Sequence, residues 1–173
     1  MINTDLAIIG AGPVGLFAAY YAGFRGLRSV VVDSLTEVGG QVSALYPEKI
    51  IEDVAGMPGI KGLDLITNLR QQADRFSPAY LLGTTVTSLE HEAEGVVLET
   101  DRDVRVRCKA LIIAAGIGRF TPRSLAVGDE FHGRGLSYFV TDLESLAGQD
   151  VIIVGGATAL STGLSRHPTC RPA

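Results

Sequence analysis

The feature that most constrains the fold of this chain is a glycine-rich turn near the amino terminus. Residues 6–9, Leu-Ala-Ile-Ile, form a continuous apolar run, which is typical of a parallel strand covered on both faces. Gly10, Gly12 and Gly15 follow directly in the pattern G-x-G-x-x-G. The pattern alone is weak, and it becomes informative when a strand precedes it and a helix follows.

The residues after the turn supply that context. Residues 14–25 have the small and apolar side chains of a helix that packs on a sheet, and 29–32 form a second apolar run. Asp33 ends this run, at about the distance from the turn where dinucleotide-binding folds place an acid. The order strand, turn, helix, strand predicts a βαβ unit that binds a dinucleotide. The alternative is a glycine turn that binds nothing.

Each part of the motif has a physical role in this prediction. Gly10 permits the tight turn, Gly12 lets a pyrophosphate approach the backbone, and Gly15 lets helix and strand pack closely. The helix N-terminus offers unpaired N–H groups and a partial positive charge to the phosphates. Asp33 would accept hydrogen bonds from a ribose and repel a 2′-phosphate, which favours FAD or NAD over NADP.

The remaining sequence predicts an α/β fold with a parallel core sheet and an inserted antiparallel meander. Residues 62–76 have apolar side chains at three- and four-residue spacing, as in an amphipathic helix. Residues 34–48 are predicted to form a loop. Further strands are predicted at residues 85–90, 95–100, 103–107, 110–114 and 151–154.

Composition and charge argue against several classes of protein. The 173 residues carry 15 basic and 19 acidic side chains, and the net charge of −4 argues against a nucleic-acid binder. No apolar run reaches the ~18 residues of a membrane span, and the amino terminus enters a strand without a secretory signal. The two cysteines are too few and too far apart for a disulfide framework, so we expect a cytoplasmic protein.

No cluster of titratable side chains indicates acid, base or metal catalysis. His91, His132 and His167 are isolated in the sequence, and we interpret them as surface or loop residues. In a predicted strand, Cys108 alternates with charged residues and shares a face with the apolar ones. This position indicates an inert buried thiol. We therefore predict neither a catalytic side chain nor a metal ligand.

Several segments beyond the turn carry a more specific pattern. The run Gly-Gly-Gln-Val-Ser-Ala-Leu-Tyr-Pro-Glu-Lys occupies residues 39–49, and Asp-Val-Ala-Gly-Met-Pro occupies 53–58. Matching segments also lie at residues 10–19, 114–118, 120–123 and 138–142. From residue 5 to about 156, the chain resembles the ferredoxin/flavodoxin–NADP reductases of the thioredoxin-reductase-like type, in the pyridine nucleotide-disulfide oxidoreductase superfamily.

This resemblance implies a Rossmann-like FAD-binding domain with non-covalent FAD. In the family, NADPH is the co-substrate that gives a hydride to FAD, and the reduced flavin passes electrons to ferredoxin or flavodoxin. The flavin carries the chemistry, and the protein supplies binding and orientation. The resemblance also implies a homodimer for a complete family member.

The resemblance implies roles for particular residues as well. Gly12 and Pro13 lie at the phosphates, Asp33 at the adenosine ribose and Val86 near the adenine. Gln41 and Tyr46 lie near the flavin, and Phe120 lies near the isoalloxazine ring. The implied cofactor-binding residues are Gly10, Gly12, Pro13, Gly15, Asp33, Gln41, Tyr46, Val86 and Phe120. Without the resemblance, Gln41 would be a surface glutamine, Tyr46 a turn residue and Phe120 a loop anchor.

The resemblance stops near Gly156, where the family continues into an NADPH-binding domain. We predict an FAD-binding portion at 1–116, a crossover and first strand of an incomplete NADPH-binding domain at 117–156, and an out-of-frame tail at 157–173. Codons can be chosen for the tail so that one added base encodes Gly-Asp-Ser-Ala-Leu-Asp-Trp-Ala-Leu, as in the family. A natural divergent tail is the alternative. On this prediction, the chain is an inactive fragment.

Two other functions fit the same residues. A thioredoxin-reductase-like NADPH flavoenzyme has the same fold, and an active-site Cys-x-x-Cys would identify it. A stand-alone FAD- or NAD-binding module without turnover is the second alternative. Bound flavin without NADPH oxidation would identify that module.

Overall fold

The computed structural model describes residues 1–118, 124–138, 140 and 144–154. The chain divides into two compact units, one of Met1–Ala44 with Leu63–Thr121 and one of Leu45–Gly62 with Pro122–Ala173. The elements in chain order are β1 (Ile2–Ile9), α1 (Pro13–Phe24), β2 (Ser29–Val32), α2 (Gln41–Leu45), β3 (Ile50–Ile51), β4 (Ile60–Lys61), α3 (Gly62–Asp74), β5 (Ala79–Leu81), β6 (Val86–Glu92), β7 (Gly95–Thr100) and β8 (Val106–Ile113). Single 3₁₀ turns follow at Asp129–Phe131 and Glu144–Leu146. None of the helices in these residues has the length and hydropathy needed to cross a bilayer.

The first unit is built on a six-stranded sheet of order β5-β2-β1-β8-β7-β6. The strands β5, β2, β1 and β8 are parallel, and β7 and β6 extend the sheet antiparallel. In the centre, Ala7 lies opposite Val30 on one side and opposite Leu111 on the other. The predicted α/β class, with a parallel core and an antiparallel meander, is confirmed.

Alternate residues of the central strands pack on opposite faces of this sheet. On one face, Leu6, Ile8 and Val31 contact small residues of the helices. On the other face, Ala7, Val30 and Val32 pack against the meander. The fully buried partners are Ala19 of α1 and Ala73 of α3 on the helical face, and Leu98, Val106 and Cys108 on the meander face. This double coverage explains why the central strands are apolar at every position.

The two strands predicted at 103–107 and 110–114 are one continuous strand, β8. Asp103 has φ of +56°, a left-handed conformation that belongs to a turn and not to a strand. The hydroxyl of Thr100 accepts the N–H of Val104 at 3.2 Å and donates to its carbonyl at 2.8 Å, which closes this turn. The prediction of two strands was wrong because nothing between Arg107 and Ala110 breaks the extended backbone.

Four short elements were absent from the prediction. Helix α2 lies within the predicted loop at 34–48, β5 adds an edge strand, and β3 pairs with β4 in a small hairpin of the second unit. Each is five residues or shorter, so hydrophobic periodicity carries little signal for it.

The strand predicted at 151–154 does not form. Ile152 and Val154 are 83% and 68% exposed, and the backbone of this segment has no regular structure. A β-branched apolar run becomes a strand only where neighbouring strands can bond to it. In the part of the second unit that the structure describes, the one sheet is the β3–β4 hairpin, and 151–154 does not pair with it.

Candidate functional site

The carboxyl ends of β1, β2 and β8 lie at the same edge of the core sheet. Ile9 ends β1 and leads into the glycine turn, and Ile113 ends β8 and leads into a second glycine-containing segment. The strand order reverses at β1, because β2 lies on one side of it and β8 on the other. Ligands of open α/β sheets bind at such switch points. This edge is therefore the candidate site.

The backbone of the turn leaves no room for side chains at two of its glycines. Gly10 has φ of +106°, and a Cβ atom there would overlap the carbonyl oxygen of Ala114. A Cβ atom on Gly15 would overlap the carbonyl oxygen of Gly10. The turn is thus packed against the end of β8 and against the first turn of α1 at the same time.

Gly12 differs because the position that a side chain would take there is uncrowded. A Cβ atom there would have its nearest neighbours, Gly39 O and Gly40 Cα, at 4.0 Å. Gly12 is the N-cap of α1 and has no side chain to bond the helix, and Pro13 occupies its first position. The first turn of α1 therefore presents N–H groups without a capping side chain, together with the positive end of the helix dipole. This arrangement fits a pyrophosphate.

A second glycine segment closes the site from the side of α2. The N–H of Gly39 donates to the carbonyl of Ala11 at 2.8 Å. Gly40 has φ of +56°, and a Cβ atom on it would lie 3.1 Å from the α-carbon of Gly12. The hydroxyl of Ser43 donates to the carbonyl of Val38 at 3.0 Å, which holds the segment in place. The two glycine segments thus lie backbone to backbone.

Asp33 connects the end of β2 to the glycine turn. Its Oδ2 atom accepts the N–H of Ala11 at 2.6 Å, and its Oδ1 atom accepts the N–H of Leu35 at 2.8 Å. Its carbonyl accepts the N–H of Thr84 at 2.9 Å. An ionised carboxylate has about four acceptor positions, so two backbone bonds leave room for a ligand hydroxyl.

Gln41 lies on the other side of the turn, at the start of α2. Gly116 follows β8 with φ of +58°, and a Cβ atom on it would lie 2.8 Å from the Nε2 atom of Gln41. The glutamine amide therefore reaches the third residue after the end of β8. The amide offers both donors and an acceptor at this edge of the sheet.

Val86 is held close to Asp33 by the backbone. It begins β6, two residues after the bond from Thr84 to Asp33. Its partly buried side chain packs against the cluster that includes Val30 and Val32. The start of β6 therefore lies beside the carboxyl end of β2.

Two predicted site residues lie outside this group. Tyr46 belongs to the second unit, where its carbonyl accepts the N–H of Lys49 at 3.1 Å and its ring centre lies 5.8 Å from Lys49 Nζ. Phe120 lies outside the described residues. Their roles at a flavin stay predictions, whereas the first unit brings together Gly10, Gly12, Pro13, Gly15, Asp33, Gln41 and Val86.

The structure adds three glycines to the site. Gly39 and Gly40 meet the turn through their backbone, and Gly116 receives the side chain of Gln41. The glycine pair directly before Gln41 and the glycine just after a buried strand were the available signals. Neither signal says which other segment comes close, so the need for glycine becomes visible only in the folded chain.

Other features of the described residues add no second candidate site. They contain no cluster of three metal-ligating side chains and no buried side-chain nitrogen or oxygen without a partner. His91 and His132 are exposed, as predicted, and His167 lies outside the described residues. Cys108 is buried, and burial raises the pKa of its thiol, which fits the predicted inert role.

Two cavities lie among the described residues. The larger, about 440 Å³, lies at the amino edge of the sheet near Thr4 and Ser29, away from the glycine turn. A smaller one of about 160 Å³ lies between Leu35 and Ser43, beside the second glycine segment. We place the site by backbone geometry, since an extended dinucleotide lies in an open crevice and not in a closed pocket.

Comparison with known proteins agrees with this geometry. A protein from Nocardioides sp. (strain ATCC BAA-499 / JS614) named ferredoxin–NADP reductase is 51% identical over 98% of this chain and 53% of its own length. One of the same name from Salinispora tropica is 54% identical over 90% of this chain and 48% of its own length. The structure of T. acidophilum thioredoxin reductase superposes with a TM-score of 0.62 at 27% identity, covering 78% of this chain and 42% of that one. The predicted resemblance is confirmed.

The chain spans about half the length of the curated relatives it matches. A family profile described as pyridine nucleotide-disulphide oxidoreductase matches residues 4–165, nearly the whole sequence. The matched range contains both glycine segments, Asp33 and Gln41. The chain therefore belongs to the pyridine nucleotide-disulphide oxidoreductase family of enzymes.

Proposed function

We propose that this chain is the FAD-binding part of a ferredoxin (or flavodoxin)–NADP⁺ reductase. In the complete reaction, NADPH delivers a hydride to FAD, and electrons leave to ferredoxin or flavodoxin. One observation carries the proposal: the bond from Gly39 N–H to Ala11 C=O sets two glycine segments side by side and leaves open space at Gly12. The names of the relatives at about 50% identity support the same function.

The residues around that space fit FAD from its adenosine end to its flavin end. The first turn of α1 and Gly12 would hold the pyrophosphate. Asp33 would accept the ribose hydroxyls on its remaining lone pairs, with Val86 beside the adenine. Gln41 would bond flavin or ribityl oxygens, and Tyr46 and Phe120 would contact the flavin as flat aromatic partners.

The flavin, when bound, supplies the exchange between hydride transfer and single-electron transfer. The residues of this chain bind and orient it. The glycine turn excludes side chains from the phosphates, and Asp33 fixes the adenosine end.

The partners and organisation of the complete protein form part of the proposal. We infer NADPH as co-substrate, ferredoxin or flavodoxin as acceptor, a homodimer and a cytoplasmic location. We assign residues 1–116 to the FAD-binding portion, 117–156 to the crossover and the start of an incomplete NADPH-binding domain, and 157–173 to an out-of-frame tail. The segment 151–154 would become the first strand of that domain only beside partner strands. Sequencing the gene across codons 155–160 tests the last assignment, because one additional base there would restore the family reading.

Titration of the purified chain with FAD, followed by flavin fluorescence, tests the binding site. We expect saturable binding of FAD by the 173 residues. We expect no NADPH oxidation, because the NADPH-binding domain is incomplete and hydride transfer requires the reacting atoms to be held about 3–3.5 Å apart. A frame-restored protein should reduce ferredoxin with NADPH. If it binds FAD without oxidising NADPH, it is a stand-alone module. An active-site Cys-x-x-Cys in the restored frame would favour a thioredoxin-reductase-like enzyme.

A further inference from the structure

The turn between β7 and β8 is bonded to a loop that leads into the candidate site. We call residues 101–105 the meander turn and residues 82–85 the β5–β6 connection. The N–H of Asp101 donates to the carbonyl of Thr85 at 3.0 Å. The Oδ1 atom of Asp101 accepts the N–H of Thr85 at 2.8 Å. One residue of the meander turn thus holds Thr85 through two bonds.

Arg102 adds a third bond between the same two segments. Its Nε atom donates to the carbonyl of Gly83 at 2.6 Å. Gly83 has φ of +60°, and a Cβ atom on it would lie 3.2 Å from Nη2 of Arg102 and 3.5 Å from Cγ2 of Thr36. The guanidinium group therefore lies against the backbone of Gly83, where a larger residue would crowd it.

The β5–β6 connection is bonded in turn to the segment that follows β2. The N–H of Gly83 donates to the carbonyl of Leu35 at 2.7 Å. The next N–H, that of Thr84, donates to the carbonyl of Asp33 at 2.9 Å. Asp33 reaches the glycine turn through the bond from the Ala11 N–H to its Oδ2 atom. Hydrogen bonds therefore connect the meander turn to Asp33 and, through it, to the glycine turn.

The meander turn does not need these two side chains for its own shape. The hydroxyl of Thr100 closes the turn by bonding both the N–H and the carbonyl of Val104. Neither Asp101 nor Arg102 belongs to β7 or β8. The backbone bond that its carboxylate accepts lowers the pKa of Asp101, which is therefore ionised near neutral pH. Both side chains thus make charge-assisted bonds to the β5–β6 connection.

The adenosine end of the candidate site is attached to the β5–β6 connection. Val86 follows Thr85 directly, and Asp33 accepts the bond from Thr84. The connection itself is a turn with irregular backbone between β5 and β6. A loop that is already held in its binding conformation loses less entropy when a ligand binds, which raises affinity. The bonds from the meander turn hold this loop before a ligand arrives.

We propose that Asp101 and Arg102 are positioning residues for the adenosine half of a bound dinucleotide. They act through the β5–β6 connection, which sets the backbone of Asp33 and the start of β6 at Val86. This role rests on the proposed binding of FAD, and it extends the site to a turn that the glycine pattern does not include. ADP is a probe of the adenosine half that carries no flavin.

Titration of the 173-residue chain with FAD and with ADP tests this role. Arg102→Ala should raise the dissociation constants of both ligands by about three- to tenfold. The effect should be smaller than the loss of a charge-assisted bond to the ligand itself, because Arg102 acts through the backbone. Flavin fluorescence measures FAD binding, and calorimetry measures ADP binding. An equal loss for both ligands would assign the effect to the adenosine half.

The matched control is Arg107→Ala. Arg107 lies on β8 and pairs with Glu92 at 3.0 Å. Its removal changes the net charge by the same amount and also breaks an exposed bond, but it leaves the meander turn intact. Both dissociation constants should stay at the values of the unmodified chain. Asp101→Ala should act as Arg102→Ala does, whereas Asp101→Asn keeps an oxygen for the Thr85 N–H and should retain most of the affinity.

Amide hydrogen exchange of the ligand-free chain tests the connection to the glycine turn. Arg102→Ala should speed the exchange of the Thr84 and Ala11 N–H groups, and Arg107→Ala should not. ADP binding with the expected losses, in a chain that does not bind FAD, would contradict the proposed function and support the positioning role. Unchanged ADP affinity in both Arg102→Ala and Asp101→Ala, or an equal loss in Arg107→Ala, would overturn it. A loss for FAD without a loss for ADP, or unchanged exchange at both amides, would overturn it as well.

Discussion

The Oδ2 atom of Asp33 accepts the backbone N–H of Ala11 at 2.6 Å, and this bond joins the end of β2 to the turn that follows β1. The same residue receives Thr84 N–H on its carbonyl, so three segments meet at Asp33. Asp33 therefore fixes the shape of the glycine turn before any ligand arrives. Its role in binding would be both direct, through a ribose, and indirect, through the turn.

Asp33→Asn should weaken FAD binding by about ten- to a hundredfold. The amide keeps one acceptor, but its NH₂ group must face either Ala11 N–H or Leu35 N–H, so one charge-assisted bond is lost and two donors oppose each other. Hydrogen bonds to a charged group contribute about 1.5–3 kcal/mol, which corresponds to this range of affinity. Flavin fluorescence titration measures the dissociation constant.

The control for this variant is Glu94→Gln, which neutralises an exposed carboxylate in the turn between β6 and β7. It should bind FAD as the unmodified chain does. Equal affinity of Asp33→Asn and the unmodified chain would show that Asp33 is only a strand-end residue.

Preference between dinucleotides follows from the same carboxylate. FAD should bind at least about tenfold more tightly than NADP⁺, because the 2′-phosphate of NADP⁺ would approach the negative charge of Asp33. Competition between FAD and NADP⁺ at fixed ionic strength measures the ratio. Tighter binding of NADP⁺ would contradict the assignment of this site.

Gly15→Ala should destabilise the first unit although alanine favours helices. A Cβ atom at this position overlaps the carbonyl oxygen of Gly10, and backbone atoms on both sides must move. Overpacking of this kind costs about 1–3 kcal/mol, and the thermal midpoint should fall by several degrees.

Gly59→Ala is the matched comparison, because the nearest atom to a Cβ atom there is a methyl carbon of Ile50 at 3.6 Å. That distance is an ordinary van der Waals contact, so Gly59→Ala should leave the midpoint nearly unchanged. A midpoint for Gly15→Ala equal to that of the unmodified chain would show that the turn can shift without cost.

Asp5 predicts a pH dependence of stability. Hydrogen bonds from the side chain of Lys109 and from the backbone and side chain of Arg28 hold the pKa of Asp5 well below its usual range. A folded-state pKa below the unfolded value of about 3.9 stabilises the fold above that pH, and the contribution disappears as pH falls through the folded-state pKa.

Asp5→Asn should therefore lower the thermal midpoint at pH 7, and the difference from the unmodified chain should shrink below about pH 4. Lys109→Gln should reduce the same difference, because Lys109 makes the bond that lowers the pKa most. A difference that stays constant from pH 7 to pH 3 would contradict this assignment.

Local sequence was sufficient for the first βαβ unit. The apolar runs at 6–9 and 29–32 became β1 and β2, and the helix predicted at 14–25 is α1 within one residue at each end. These elements depend on neighbours along the chain, because side-chain periodicity and the glycine pattern are properties of short segments.

Prediction was poorer where an element depends on a distant partner. The meander strand and the next core strand merged into β8 because β1 pairs along its full length, from Ile2 opposite Val106 to Ile9 opposite Ile113. The apolar run at 151–154 formed no strand, since no strand in the described residues pairs with it. Its composition was that of a strand, but a strand also needs hydrogen-bonding neighbours.

The sequence by itself determined which segment forms the glycine turn between β1 and α1, and which acid ends the next strand. Tertiary structure alone decided that Gly39 would bond to Ala11 and that Gln41 would reach Gly116. The turn is built by residues a few positions apart, whose conformations are set by local sterics. The completed site requires backbones far apart in the chain to approach within hydrogen-bonding distance, and packing of the helices and the sheet brings them there.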